Sequence, residues 1–287
     1  MQIVTDSGYD LSHQQKEGLP IHTLPLKLTL SSVSYRSGID IQPEEFYALL
    51  EKTDDMPTTS TPSPGEFHEL YQQVAEIDPD ILSIHISSGL SATFSVAQTA
   101  ASQLPDLNIN LVDTRSLSAE MGWQIEAAGR GIQAGWSLEA ILAHMDKVRA
   151  ATEIVFTLPE LSYLIHGGRI SHLKGLLANL LGIKPLIGVD KTDGKYYDRG
   201  KARTFKRAIQ AIPGYVASKF PEGTYLRAQI GHAGNPEAAA QLKEATDALF
   251  KVDWLDDCSI SPVLGAHTGR GLVGMVFAPV SSFPVID

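Results

Sequence analysis

Four separate stretches of this chain combine hydroxyl, histidine or arginine side chains with glycine or proline, and the composition of the last of them suits an anion-binding site. In order they are residues 58–64 (TTSTPSP), 87–93 (SSGLSAT), 164–171 (LIHGGRIS) and 266–271 (AHTGRG). Glycine lets backbone N–H groups approach a ligand closely, and an arginine side chain adds positive charge. The last stretch raises the question of which anion it binds: a nucleotide phosphate, a scissile ester or another group.

The stretch 87–93 lies between a predicted buried strand, residues 81–86, and a predicted helix, residues 91–104. In a parallel α/β sheet, ligands bind beyond the carboxyl ends of the strands, and the N–H groups at a helix N-terminus attract anions. We therefore expect Thr59 and Ser91 to lie on loops ahead of helices, at the ligand-binding edge of the sheet. A structural role is an equally good interpretation of the residues around Thr59, because Ser and Thr cap helices and Pro stiffens turns.

Residues 89–93 (GLSAT) come close to the Gly-x-Ser-x-Gly turn of serine hydrolases. Thr93 replaces the second glycine, which that strained turn needs, and the spacing identifies no acidic partner. An acyl hydrolase that uses Ser91 and His267 is kept as the alternative to a binding protein. His267 lies in a polar stretch that we predict as a loop, where a purely structural role is the simpler interpretation.

Two glycines precede Arg169 and permit a tight turn that directs its guanidinium inward. The alternative is a helix that ends at Gly167, with Arg169 on the surface. His166 and His172 are six positions apart, which matches no common spacing of metal ligands on one helix face, so we predict no metal site.

Composition and missing motifs exclude several classes of function. Neither of the two commonest nucleotide-binding motifs occurs, so we predict no ATP site and no cofactor. The formal net charge of -10 argues against nucleic acid as a partner. Cys258 is the single cysteine, which excludes an intrachain disulfide and a cysteine metal cluster. The N-terminus reads as a strand rather than a signal segment, and Pro185 interrupts the most apolar window, residues 176–189, so we predict a cytoplasmic protein.

The order of predicted elements indicates an α/β protein with two domains. The predicted helices of the first half are residues 43–52, 64–77 and 91–104, and its predicted strands are residues 2–4, 81–86 and 108–112. This alternation is typical of a parallel sheet with helices on both faces. In the second half, strands at 153–156 and 185–189 flank a Gly-rich helical segment, a hairpin turn is predicted at Asp193-Gly194, and Asn235 caps a helix. We predict an N-terminal parallel α/β domain at 1–155 and a C-terminal mixed α/β domain at 156–287.

Taken together, the motifs resemble those of the DegV family of bacterial fatty-acid-binding proteins, which include the lipid-binding subunits of fatty acid kinase. The similarity covers almost the whole chain. The matching motifs, in order, are Thr5-Asp6-Ser7 with Asp10-Leu11, Thr59-Ser60-Thr61-Pro62-Ser63, Ser87 to Phe94, Gly167-Gly168-Arg169-Ile170, Lys184-Pro185, Lys201-Ala202-Arg203-Thr204 and His267-Thr268-Gly269. Arg270 stands where the family has proline, and Glu120 falls in a segment where members often carry glycine.

The resemblance implies a fold and a ligand. It implies the two α/β domains just described, with a fatty acid such as palmitate or oleate held between them. It assigns the carboxylate to Thr59 and Ser91, with Arg169, His267 and Thr268 beside it. It also implies a separate ATP-binding kinase subunit that docks at Arg203, and it allows transient membrane contact. A carbonyl-binding enzyme that uses His267 covalently remains an alternative, by analogy with the substrate domain of dihydroxyacetone kinases.

Physical chemistry makes such a ligand sensible. A buried carboxylate is costly unless it is hydrogen-bonded, and two hydroxyls and a cation supply donors. Burial of about 15 methylenes contributes roughly 12 kcal/mol before the costs of binding. The sequence therefore predicts a protein that holds a long-chain fatty acid and presents its carboxylate to a separate kinase.

Overall fold

The computed structural model describes residues 1–173 and 182–283. The strands are β1 (Gln2–Asp6), β2 (Ile21–Leu24), β3 (Lys27–Leu30), β4 (Val33–Arg36), β5 (Thr58–Ser60), β6 (Asp80–His85), β7 (Asn108–Asp113), β8 (Glu153–Thr157), β9 (Lys184–Val189), β10 (Tyr196–Ala202), β11 (Tyr225–His232), β12 (Lys251–Trp254), β13 (Cys258–Ser259) and β14 (Val273–Pro279). The helices are α1 (His13–Lys16), α2 (Pro43–Leu50), α3 (Pro64–Ala75), α4 (Thr93–Ala101), α5 (Ser118–Gln133), α6 (Leu138–Ala151), α7 (Ser162–His166), a 3₁₀ helix (Arg169–Leu173), α8 (Phe205–Ala217), α9 (Pro236–Asp247) and α10 (Pro262–Thr268).

The first sheet is parallel, with strand order β2-β1-β6-β7. Side chains alternate across a strand, so each strand contributes to both faces. Ile3 and Leu82 pack into the same cluster as Met121 of α5, whereas Val4 packs with Phe67 of α3 on the other face. The predicted parallel sheet with helices on both faces is confirmed.

A small antiparallel sheet with order β4-β3-β5 was not predicted. Thr59 lies in β5, opposite Leu28 of β3, so its predicted place on a loop ahead of a helix is wrong. The reason is that Leu28 and Leu30 alternate with half-buried polar residues and form a strand on which residues 58–60 pair. That pairing fixes the direction of the Thr59 side chain more firmly than a loop does.

The second half of the chain forms a mixed sheet with order β10-β9-β8-β14-β11-β12, and β13 pairs with β11. The predicted hairpin turn is confirmed, since β9 and β10 pair in antiparallel fashion and Gly194 has a φ of 68°. Asn235 caps α9 as predicted, because its side chain accepts a hydrogen bond from the N–H of Ala238. The predicted domain boundary at residue 155 falls inside β8, the first strand of this sheet.

The helices end earlier than the sequence predicted. Helix α2 ends at Leu50 and α3 at Ala75, two residues before the predicted ends. The N–H groups of Lys52 and Ile77 bond to carbonyls three positions earlier, so each helix closes with a tighter turn. The third helix, α4, is shorter than predicted at both ends.

The Gly-rich segment after β8 forms α7 and the 3₁₀ helix as far as Leu173. The rest of the predicted helical segment, and the first part of the apolar window 176–189, lie outside the described residues. Within the ranges that the structure describes, no helix combines the length and apolar character needed to cross a membrane.

Candidate functional site

Four of the predicted site residues line one cavity of about 300 Å³, which we call the outer cavity. They are Thr59, Ser91, Arg169 and His267; three lie in β5, the 3₁₀ helix and α10, and Ser91 lies on the loop between β6 and α4. The wall also contains Leu26, Ser60, Thr61, Ile86, Leu90, Ala92, Leu117, Tyr196, Val263 and Leu264. Polar groups that are far apart in the sequence therefore meet at one opening.

His267 and Thr59 are joined across the outer cavity. The Nε2 atom of His267 is 2.7 Å from Oγ1 of Thr59. The prediction that His267 lies in a loop is wrong, because it lies in the last turn of α10, which begins at Pro262. Pro at a first helical position favours that start, and Gly269 ends the helix with a φ of 71°.

Burial and neighbouring positive charge keep the His267 ring neutral. Burial lowers the pKa of His267 to about 4, and Arg169 and His166 contribute in the same direction. The Nδ1 atom is buried and has no hydrogen-bond partner in the part of the chain that the structure describes. It faces Gly167, where an added Cβ would lie 2.1 Å from it.

The unpartnered Nδ1 assigns the tautomer of His267. A buried N–H without an acceptor is costlier than a bare ring nitrogen, so the proton belongs on Nε2. The Nε2–H then donates to Oγ1 of Thr59. The hydroxyl hydrogen of Thr59 is left to donate to a ligand in the outer cavity.

Ser91 follows β6 and is turned towards α4. Its Oγ lies 2.8 Å from Oγ1 of Thr93 and accepts a hydrogen bond from the N–H of Thr93. Among the described residues, Ser91 makes no hydrogen bond with His267, and Thr59 occupies the ring nitrogen that a nucleophile would need. This arrangement does not favour a hydrolase, nor a covalent bond from Nε2 to a carbonyl substrate.

Arg169 is half-buried and points inward, as the first of the two interpretations predicts. Its Nε donates to the carbonyl oxygen of Leu90 at 3.2 Å, and its Nη1 donates to that of Gly167 at 2.6 Å. These bonds hold the guanidinium but use two of its five N–H donors. Among the described residues the other N–H donors of Arg169 have no acceptor, so they can bind an anion beside Ser91 and His267.

An inner cavity of about 30 Å³ has almost entirely apolar walls. It shares Leu117, Tyr196 and Leu264 with the outer cavity, so the two cavities adjoin. Other residues of the inner wall are Ser118, Ala119, Ile154, Phe156, Gly231, Ile260, Thr268, Leu272, Gly274, Met275 and Val276. Thr268, a predicted ligand residue, lies here, and its hydroxyl donates to the carbonyl oxygen of Leu264.

The remaining singled-out residues lie away from both cavities. Arg203 is exposed between β10 and α8. Arg270 forms an exposed ion pair with Glu51 at 2.6 Å. Glu120 is buried against Ser116, Thr152 and Lys191, and it belongs to neither cavity wall among the described residues. Its carboxylate therefore does not line the outer or the inner cavity.

Sequence reasoning missed the three residues that join the two cavities. Leu117, Tyr196 and Leu264 belong to no motif, and they resemble ordinary core residues in the sequence. Burial raises the pKa of Tyr196 to a value above the normal range, which is consistent with a phenol in an apolar wall. Only the packing of three distant segments identifies them.

Comparisons with known proteins agree with this architecture. The family model described as "Uncharacterised protein, DegV family" matches residues 1–280. A DegV domain-containing protein of Staphylococcus aureus strain MRSA252 is 37% identical over 274 residues, which cover 96% of this chain and 97% of that protein.

Two solved structures extend the likeness to the fold. A DegV family protein from Thermus thermophilus, described by its fatty acid binding, has a TM-score of 0.87 at 30% identity and covers 97% of this chain and 99% of its own. DegV of Bacillus subtilis, described as a fatty acid binding protein, has a TM-score of 0.85 at 29% identity, with coverage of 96% and 98%. The chain therefore belongs to the DegV family.

Proposed function

We propose that this chain binds a long-chain fatty acid such as palmitate or oleate, with its carboxylate in the outer cavity and its acyl chain along the inner cavity. The observation that carries the proposal is the wall of Leu117, Tyr196 and Leu264, which the outer cavity with its cluster of polar groups shares with the apolar inner cavity. A fatty acid has the same two-part character. The descriptions of the Thermus thermophilus and Bacillus subtilis proteins as fatty acid binding support it.

The polar end of the site supplies donors rather than a nucleophile. Thr59 and Ser91 offer hydroxyls, and Arg169 offers a guanidinium held by two carbonyls. Charge-assisted hydrogen bonds of this kind offset the cost of burying a carboxylate. Neutral His267 adds no charge of its own but orients the hydroxyl of Thr59.

The apolar end has to widen when an acyl chain enters. At about 30 Å³ the inner cavity is far below the roughly 300–1,000 Å³ of a typical ligand pocket. Leu272 and Met275 line it, and their side chains can change rotamer more easily than a β-branched residue. Each methylene that is buried contributes about 0.8 kcal/mol towards that opening.

The binding test removes one hydroxyl at a time. Thr59→Ala and Ser91→Ala should each weaken fatty-acid binding by about 1–3 kcal/mol, since a buried carboxylate loses a donor. Thr58→Ala and Ser95→Ala are the matched controls, because both residues are exposed neighbours outside the cavity wall. Displacement of a fluorescent fatty acid measures the affinities, and unchanged binding in both test variants would contradict the carboxylate site.

We further propose that the bound carboxylate is presented to a separate kinase that supplies ATP and forms the acyl phosphate. The support is a run of five Lys and Arg residues at 199–207 in a chain of net charge -10. Arg203 and three of these residues, Lys201, Lys206 and Arg207, are exposed. Such a run steers an acidic partner surface towards the lipid-bearing chain.

Arg203→Ala tests this docking role. We expect unchanged fatty-acid affinity and slower acyl-phosphate formation with a cognate kinase. The difference from the wild type should shrink as salt rises, because salt screens the steering. Lys147→Ala, which removes an exposed cation from α6, is the control. If Arg203→Ala empties the lipid site while phosphorylation per bound lipid stays normal, Arg203 belongs to the pocket instead.

A further inference from the structure

The turn between β9 and β10, residues 190–195, is packed against the loop that carries Ser91. The hydroxyl of Ser87 donates to the carbonyl oxygen of Gly194 at 2.7 Å. The same hydroxyl accepts a hydrogen bond from the N–H of Gly89 at 3.1 Å. Ser87 is fully buried, and its hydroxyl joins the mixed sheet, through the β9–β10 turn, to a loop that follows β6 of the parallel sheet.

Two glycines allow this close approach. A Cβ at Gly194 would lie 1.9 Å from Oγ of Ser87, and a Cβ at Gly89 would lie 2.3 Å from the carbonyl oxygen of Asp193. Neither position has room for a side chain. Gly194 also has a φ of 68°, so its backbone conformation and its contact both favour glycine.

Side-chain contacts also hold the turn against neighbouring elements. Lys191 is 3.4 Å from the buried carboxylate of Glu120, and its Nζ also donates to the carbonyl oxygen of Thr152. The guanidinium of Arg115 donates to the carbonyl oxygen of Thr192. Glu120 therefore acts as an anchor for this turn.

The loop that Ser87 joins to the turn contributes Leu90 and Ser91 to the wall of the outer cavity. The N–H groups of Leu90 and Ser91 both donate to the carbonyl oxygen of Ser87, at 3.0 Å each. The carbonyl oxygen of Leu90 in turn accepts from Nε of Arg169. Displacement of Ser87 would therefore move both Ser91 and Arg169.

We propose that the β9–β10 turn is a positioning element for the carboxylate site, acting through Ser87 on Ser91 and Arg169. This inference rests on the proposed function, since it assigns the turn a role in that same site. The strand β10 continues from the turn to the exposed segment around Arg203. One hairpin thereby contacts the loop that carries Ser91 and leads into the basic segment.

Gly194→Ala, compared with Gly223→Ala, tests the proposal. Both glycines have a positive φ, at 68° and 80°, but an added Cβ at Gly223 meets nothing within 4 Å. Gly194→Ala should speed amide hydrogen exchange in a peptide covering residues 87–91 and weaken fatty-acid binding by about tenfold or more. Gly223→Ala should lose a similar amount of backbone stability with neither effect.

Ser87→Ala is the second variant, in case Gly194→Ala does not fold. Ser87 lines neither cavity in the described part of the chain, so a loss of affinity by Ser87→Ala would act through position alone. Faster exchange at residues 87–91 together with weaker binding supports the proposal. Unchanged exchange and affinity in a folded variant overturn it. Hydrogen exchange needs no ligand, so a wild-type protein that binds no fatty acid would refute the proposed function while exchange still tested the turn.

Discussion

Two histidines of this chain, His85 and His267, both form a hydrogen bond with a hydroxyl side chain, but they differ in how many partners they have and in whether they face a cavity. His85 is fully buried, with Nδ1 at 2.9 Å from Asp6 and Nε2 at 2.7 Å from Ser83, whose hydroxyl continues to Tyr71. His267 has one partner, Thr59, and its second ring nitrogen has none among the described residues. The first set of hydrogen bonds is closed within the core, and the second opens on a cavity.

The difference separates a structural network from a binding site. The Asp-His-Ser order around His85 is that of a hydrolase triad, yet all three side chains are inaccessible to a substrate. A fully satisfied buried network stabilises one arrangement of the core. Around His267 the hydroxyl hydrogen of Thr59 is left to donate to a ligand. Similar residue types therefore form a closed core network in one place and a candidate binding site in the other.

The largest effect that we expect is the loss of stability in Asp6→Ala. The carboxylate of Asp6 accepts hydrogen bonds from the N–H groups of Gly8 and Ile86 and faces His85. Its removal leaves several buried groups unpaired, which should cost about 3–5 kcal/mol. Urea unfolding measures the change.

Asp146→Ala is the control for Asp6→Ala, since Asp146 is 67% exposed and should change stability by less than about 0.5 kcal/mol. A loss of under about 1 kcal/mol in Asp6→Ala would mean that the closed network contributes little. The contrast with the open site would then fail.

Asp10 is buried and hydrogen-bonded like the residues around His85, but its hydrogen bonds do not fully offset the cost of burying its charge. It accepts hydrogen bonds from Ser118 and from the N–H of Ser261, yet burial raises its pKa to about 6. The folded state therefore retains a proton that the unfolded chain releases at lower pH, and stability falls as pH rises through this range.

Asp10→Asn removes the titrating group. Between about pH 4.5 and pH 7.5, the stability of the wild type relative to Asp10→Asn should fall by about 2 kcal/mol. Urea unfolding at both values measures it. A relative stability that does not change with pH would mean that two hydrogen bonds already suffice to keep this carboxylate charged.

The smallest change in stability is expected for His267→Ala. Stability should change by less than about 1 kcal/mol, whereas fatty-acid binding should weaken by about 1–2 kcal/mol because Thr59 loses the group that orients it. His166→Ala is the control, since His166 is exposed on α7. The reverse result, lower stability with normal binding, would make His267 a core residue like His85.

Most of the parallel sheet could be predicted from the sequence. The strand at 80–85 and the helices around it are indicated by apolar periodicity and by caps such as Ser63. The antiparallel sheet around Leu28 was missed because its strands are four residues or shorter and half-buried, which gives a weak pattern. Helix ends were overestimated because a final 3₁₀-type turn has the same residue pattern as an α-helical one.

The polar half of the candidate site was predictable, and the apolar half was not. Thr59, Ser91, Arg169 and His267 stand in motifs of unusual residue types, and the resemblance of those motifs to the DegV family assigned them to one site. A residue such as Tyr196 has no such signal, because it differs from an ordinary core residue only in that its side chain lines a cavity. The network around His85 was also missed, since it depends on the parallel pairing of β1 with β6.

The ring of His267 rests on Gly167, and this contact links two motifs that are distant in the sequence. An added Cβ at residue 167 would collide with the ring, so GGRI and HTG form a single constraint on the chain. A larger residue at 167 therefore requires the ring at 267 to move or to be replaced by a smaller side chain. A designer who transplants one motif into another scaffold of this fold must therefore carry the other with it.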